Sequence, residues 1–168
     1  MRSNLSKRIA IMVVMACVAM SAYAAESAES NSYDAALEQL KTLVGEWDVK
    51  DSPSSVTYHL TGNGTTLVEE FRGRRGMASV YHMDNGNLML THYCSAGNQP
   101  RMRAVAYDPA EGSVKFDFID VTNLSEPSAY HTRELEILFQ DKDHVQLRFI
   151  GQEEGEEVAV AHSLVRQE

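Results

Sequence analysis

The chain is expected to fold as an all-β protein, an antiparallel meander closed into a roughly ten-stranded barrel behind a short N-terminal helix. Three observations predict this. From Trp47 onward apolar residues recur with a period near two, and that period persists to the C-terminus. Clusters of turn formers cut the run into short pieces: Gly62-Asn63-Gly64, Gly73 to Gly76, Asn85-Gly86, Gly97 to Pro100, Asp108 to Gly112, Asp141-Lys142-Asp143 and Gly151 to Gly155. A series of about ten short strands joined by tight turns leaves unpaired edges unless the sheet closes on itself.

Taken in order, the chain starts with a basic stretch holding Arg2, Lys7 and Arg8, followed by an apolar run from Ile9 to Met20. Ala22-Tyr23-Ala24 then supplies small residues at the −3 and −1 positions of a cleavage site. This is the pattern of a secretory signal peptide cut after Ala24. A lipoprotein signal would instead acylate Cys17, but apolar residues continue beyond it where a polar linker is expected. Residues 1–24 are therefore expected to be the signal peptide, 25–32 a flexible tether and 33–168 a single β-barrel domain, with the mature protein secreted or periplasmic.

Of the 168 residues, removing 24 leaves 144, enough for one domain with its own core. Cleavage also takes away three positive charges and no negative one, moving the formal charge from −9 to about −12. Such a surface repels nucleic acid and anionic headgroups, so no nucleic acid and no membrane partner is expected after cleavage. Cys94 is the one cysteine left, which excludes an internal disulfide.

Ser32 is placed to cap a helix from about Tyr33 to Leu43, with Leu37, Leu40 and Val44 on one side and Gly45 at its end. Strands are expected near Glu46–Lys50, Ser55–Thr61, Thr66–Arg72, Ala78–Met83, Asn87–Cys94, Arg101–Tyr107, Ser113–Ile119, Thr132–Gln140, His144–Ile150 and Glu157–Arg166. The one longer connection, Asp120 to Ala129, either covers a barrel mouth or forms a simple loop.

Asn85-Gly86 is a strong two-residue hairpin signal and sets a register. Met83 then faces Leu88, Tyr81 faces Leu90, Ser79 faces His92 and Met77 faces Cys94, all on one sheet face. That face is the richer in bulky apolar groups and is assigned to the interior, with Met102 of the next strand beside it. Met77, Ser79, Tyr81, Met83, Leu88, Leu90, His92, Cys94 and Met102 are thus the candidate lining of an internal ligand site. Arg101 and Arg103 fall on the opposite, solvated face. Glu69 and Glu70 are adjacent, so one must turn inward, and an arginine across the barrel is its natural partner.

His92 and Cys94 lie two residues apart on a strand and make only two ligands of a metal site, with Met77 or Met102 as soft neighbours. A Cys94–His92 catalytic pair lacks an orienting group and an oxyanion hole. No metal and no complete catalytic constellation is read from the sequence, which favours binding over catalysis.

Gly45-Glu46-Trp47 after a short helix, opening a meander, resembles the start of the calycin superfamily, which includes lipocalins, fatty-acid-binding proteins and nitrobindin-like haem-binding barrels. The resemblance implies that Trp47 closes one barrel end and that Arg166, in HSLVR, packs over it. It implies a small lipophilic or amphipathic ligand in the interior. A nitrobindin-like barrel would use His162 as an iron ligand, which keeps haem as an alternative to a cofactor-free barrel. Two further readings are a filled barrel without ligand and an enzymatic barrel built on His92 and Cys94. The stretches LVGEW, TGNGTTLVEEF and LTHYCSAGNQPRMRA also resemble a group of exported bacterial proteins, in which they carry no assigned chemistry.

Overall fold

A computed structural model describes residues 32–168. The expected signal peptide and all of the tether except Ser32 lie outside the described residues. Helix α1 spans residues 32–41. It buries Tyr33, Ala36, Leu37 and Leu40, the i, i+3, i+4, i+7 stripe of an amphipathic helix. Val44 is 42% exposed, against expectation, and Leu43 takes its place in the core. The reason is local. The helix stops at residue 41, and the hydrogen bonds Leu43 N to Leu40 O and Val44 N to Lys41 O tighten the chain into turns. Helical spacing therefore no longer decides which side chain points inward.

Ten strands follow: β1 Gly45–Val49, β2 Ser55–Thr61, β3 Thr66–Arg72, β4 Met77–Asp84, β5 Asn87–Tyr93, β6 Gln99–Asp108, β7 Ser113–Thr122, β8 His131–Phe139, β9 His144–Glu153 and β10 Glu156–Arg166. Each pairs antiparallel with its successor, and β1 pairs with β10 through Trp47↔Arg166 to Val49↔Leu164, so the barrel is closed. Closure leaves no strand edge open.

Asn85 (φ 48°) and Gly86 (φ 80°) both adopt positive φ, as a type I′ turn requires. The β4–β5 ladder accordingly pairs Met83↔Leu88, Tyr81↔Leu90 and Ser79↔His92, and ends at Ala78↔Tyr93. Gly151, expected in a turn, is instead a buried strand residue of β9 paired with Thr132, and the β9–β10 turn is made by Glu154 and Gly155. The long connection is shorter than expected, because β7 runs on to Thr122 and leaves residues 123–130.

In an antiparallel meander alternate turns share an end. Helix α1 and the turns after β2, β4, β6 and β8 lie at the end where β1 begins. The turns after β1, β3, β5, β7 and β9 lie at the other. From the helix end to the middle, the interior is filled by side chains with at most 1% exposure, among them Trp47, Tyr58, Leu67, Tyr81, Leu88, Leu90, Met102, Phe116, Leu135, Ile137 and Leu147.

Candidate functional site: a pocket at the end opposite the helix

The packed interior stops short of the far end, where a pocket of ≈ 190 Å³ opens. Met77 at the start of β4, His92 from β5, and Cys94 and Ser95 from the following turn form one wall. Tyr130, Thr132, Phe149, Val160 and His162 complete it from β8, β9, β10 and the 123–130 connection. Val160 is 41% exposed although its register places it inward, because the space it faces is this opening.

The candidate interior residues separate into three groups. Tyr81, Leu88, Leu90 and Met102 belong to the solid core, and Met83 packs against it. Ser79 is fully buried within a polar cluster. Met77, His92 and Cys94 reach the pocket, and His162 joins them there. Arg101 and Arg103 are exposed, with Arg101 held by Asp120 across the β6–β7 ladder.

His92 is 2% exposed, and burial pulls its pKa down to about 4, so the imidazole is neutral at pH 7. Burial also lowers His162, which is half-buried. Phe149 touches both imidazoles, with centroids 5.5 Å from His92 and 6.2 Å from His162, and Phe71 lies 4.9 Å from His162. Cys94 ties the turn together through its backbone, N–H to Asn98 O at 3.0 Å and O from Gly97 N–H at 2.9 Å. Its Sγ accepts from Ala96 N–H at 3.5 Å.

Glu69 is the inward member of the Glu69-Glu70 pair, 1% exposed. The expected arginine partner is absent among the described residues. The carboxylate is met instead by three hydroxyls: Tyr58 and Tyr81 donate to Oε2 at 2.9 Å each, and Ser79 donates to Oε1 at 3.1 Å. Neutral hydroxyls from the adjacent strands β2 and β4 thus meet the carboxylate without a counter-charge. Desolvation raises the Glu69 pKa, and the three hydrogen bonds oppose that rise. Glu70 faces out and pairs with Arg72 at 2.9 Å.

Nothing in the local sequence points to Tyr130. It ends a polar connection, SEPSAY, and its ring lies on the inward face of Gly151, where a Cβ would stand 2.7 Å from its Cζ. The connection is pinned to neighbouring turns: Asn98 Nδ2 donates to Tyr130 O at 2.7 Å, Asn123 Nδ2 to Gly97 O at 2.6 Å, and Glu154 N–H to Ser128 O at 2.9 Å. Phe149 is legible as an inward residue of an alternating strand, but nothing local places it beside the two histidines.

At the opposite end, Arg166 lies over Trp47 with Cζ 4.2 Å from the ring centroid. It donates from Nη2 to Thr42 O at 2.8 Å, Nη1 to Val44 O at 3.1 Å and Nε to Lys142 O at 3.1 Å. The Trp47 indole N–H donates to Leu43 O at 2.7 Å. Gly45 (φ 131°) lets the chain pass here, since a Cβ would sit 3.2 Å from Arg166 Nη1.

Among the described residues no group of three or more His, Cys, Asp or Glu side chains could hold a metal ion. The haem alternative would put iron on His162, but a porphyrin is larger than the 190 Å³ pocket, and the rings of Phe71 and Phe149 lie 4.9 and 6.2 Å from the imidazole, centroid to centroid. These residues do not fit that group. No family model matches the chain, and no curated protein matches it.

Proposed function

We propose that this protein is an exported, calycin-like binding barrel that takes one small, uncharged, largely apolar molecule in the pocket opposite the helix. One observation carries the reading. Where the solid packing of the barrel interior ends, the pocket is lined by Met77, Phe149 and Val160, together with polar groups that bear no fixed charge. Among the described residues no lysine, arginine, aspartate or glutamate lines it. An apolar concavity with a few convergent polar groups is the usual form of a small-molecule site. At 190 Å³ it lies below the roughly 300–1,000 Å³ of sites for drug-sized ligands. The occupant is therefore a single ring or a short chain, or one end of a longer amphipathic molecule. The calycin-like assignment is supported by the closed ten-stranded meander and the stacking of Arg166 on Trp47. Export is supported by the residues 1–24 pattern alone, and an intact mass beginning at Ala25 tests it.

Cys94 reports on the pocket directly. A small uncharged thiol reagent should modify it in the native protein, a bulky charged reagent should react far more slowly, and saturating toluene should protect it. Equal rates for both reagents, unaffected by toluene, would mean that the thiol does not face a binding cavity.

A further inference from the structure

Tyr58, Glu69, Ser79 and His92 stand directly opposite one another on β2, β3, β4 and β5, one transverse row across four strands. Along it runs a continuous chain of hydrogen bonds from a buried carboxylate to the pocket. Glu69 is surrounded by apolar core and its oxygens accept from Tyr58, Tyr81 and Ser79. Both tyrosine hydroxyls are held protonated by burial and by the neighbouring carboxylate, so both are donors.

The serine has one hydroxyl hydrogen, and with Glu69 ionised it goes to Glu69 Oε1. Its Oγ also lies 3.0 Å from His92 Nδ1. With the serine hydrogen already committed, that second contact is a hydrogen bond only if Nδ1 carries the proton and donates. A neutral imidazole has a single N–H, so Nε2 is left as a bare lone pair. No protein hydrogen bond to Nε2 is found among the described residues, and His92 lines the pocket. With Nδ1 engaged by Ser79, the Nε2 lone pair is the one left for a ligand in the cavity to meet.

We infer that the Glu69–Ser79–His92 chain fixes His92 as an obligate hydrogen-bond acceptor, so that the pocket selects neutral ligands carrying one hydroxyl or N–H donor, such as a phenol or a short alcohol. The inference rests on the pocket being a ligand site, and it adds the polarity of the ligand. A carboxylate would bring its own lone pairs and charge towards His92 and the Glu69 carboxylate behind it, with no cation in the described lining to compensate. An ether or ketone has no hydrogen to give. Glu69 and Ser79 act here as positioning residues, since neither touches the pocket.

Two readouts test this at pH 7 on the mature protein. Nitrogen-15 NMR of labelled imidazoles should show His92 in the Nδ1–H form with a pyridine-like Nε2, and Ser79→Ala should shift it towards the Nε2–H form. Calorimetric titration should show phenol binding about tenfold or more tighter than toluene, the contribution expected of one buried hydrogen bond. Water holds phenol more strongly than toluene, so this order requires a partner in the pocket. In Ser79→Ala the preference should fall towards parity, and benzoate should not compete. An Nε2–H tautomer in the wild type, or toluene binding as well as phenol, overturns the inference and leaves the pocket reading standing. Failure of both phenol and toluene to bind overturns the pocket reading and the ligand class with it. Should Ser79→Ala not fold, the wild-type tautomer and the phenol-to-toluene ratio decide alone.

Discussion

The two ends of the barrel are built from the same kind of strand and finished in opposite ways. At the helix end the interior is occupied. The apolar stripe of α1 covers the opening, Trp47 is fully buried, and Arg166 takes three backbone carbonyls while lying on the indole. At the far end the interior holds a cavity, two histidines with lowered pKa and a thiol, crossed by a tyrosine from a polar connection. Solid packing and open volume thus divide along the axis of this small barrel. Fully buried apolar side chains fill the interior towards one end, and the other keeps unfilled volume.

Breaking the closed end should have the largest effect. Trp47→Ala removes a fully buried indole and should cost about 3–5 kcal/mol in urea unfolding, as large-to-small changes in cores do. Arg166→Ala should cost less. The two should couple by at least about 0.5 kcal/mol in a double-mutant cycle, because each loses the other's stacking partner. Additive effects would separate the arginine from the closure.

The open end should reveal itself through pH. An unfolded histidine takes up a proton near pH 6.5, whereas His92 in the fold does so only near 4. Between these values the unfolded state binds more protons, so stability present above pH 6.5 is lost as the pH falls towards 4. For His92 this is roughly 3 kcal/mol. His162 adds to the loss with the same sign. Glu69 opposes it, because its raised pKa lets the folded state protonate first as the pH drops. Denaturant midpoints measured from pH 7 to 4 should fall, and the slope should flatten in His92→Gln. An unchanged slope in that variant would place the acid sensitivity elsewhere.

The smallest effect concerns the tyrosine at the mouth. Gly151→Ala puts a methyl group where the Tyr130 ring lies, and should cost about 1–3 kcal/mol by overpacking. It should also speed native modification of Cys94 as the ring is driven out of the pocket wall. A stability loss without faster modification would mean that Tyr130 moves without opening the mouth.

Much of this architecture is legible along the chain. The period of two places all ten strands, β2 and β3 to the residue. Asn85-Gly86 sets the hairpin register because a type I′ turn suits two positive-φ residues between twisted strands. Residue chemistry also puts one of Glu69 and Glu70 inside, since side chains alternate. Relations between distant strands lie beyond its reach. Local pattern states that a buried carboxylate needs a partner, but not that Tyr58, Ser79 and Tyr81 reach it in place of an arginine. Gly151 reads as a turn because a glycine among polar residues is locally indistinguishable from one. Its role depends on Tyr130, twenty-one residues away, lying against it.

Strand positions, the facing of side chains and the closed meander all follow from spacing and turn chemistry within a few residues of chain. Which end of the barrel is filled does not. Whether inward side chains meet or leave a gap depends on volumes contributed by β4, β5, β8, β9 and β10 together, and on how far one connection reaches across a mouth.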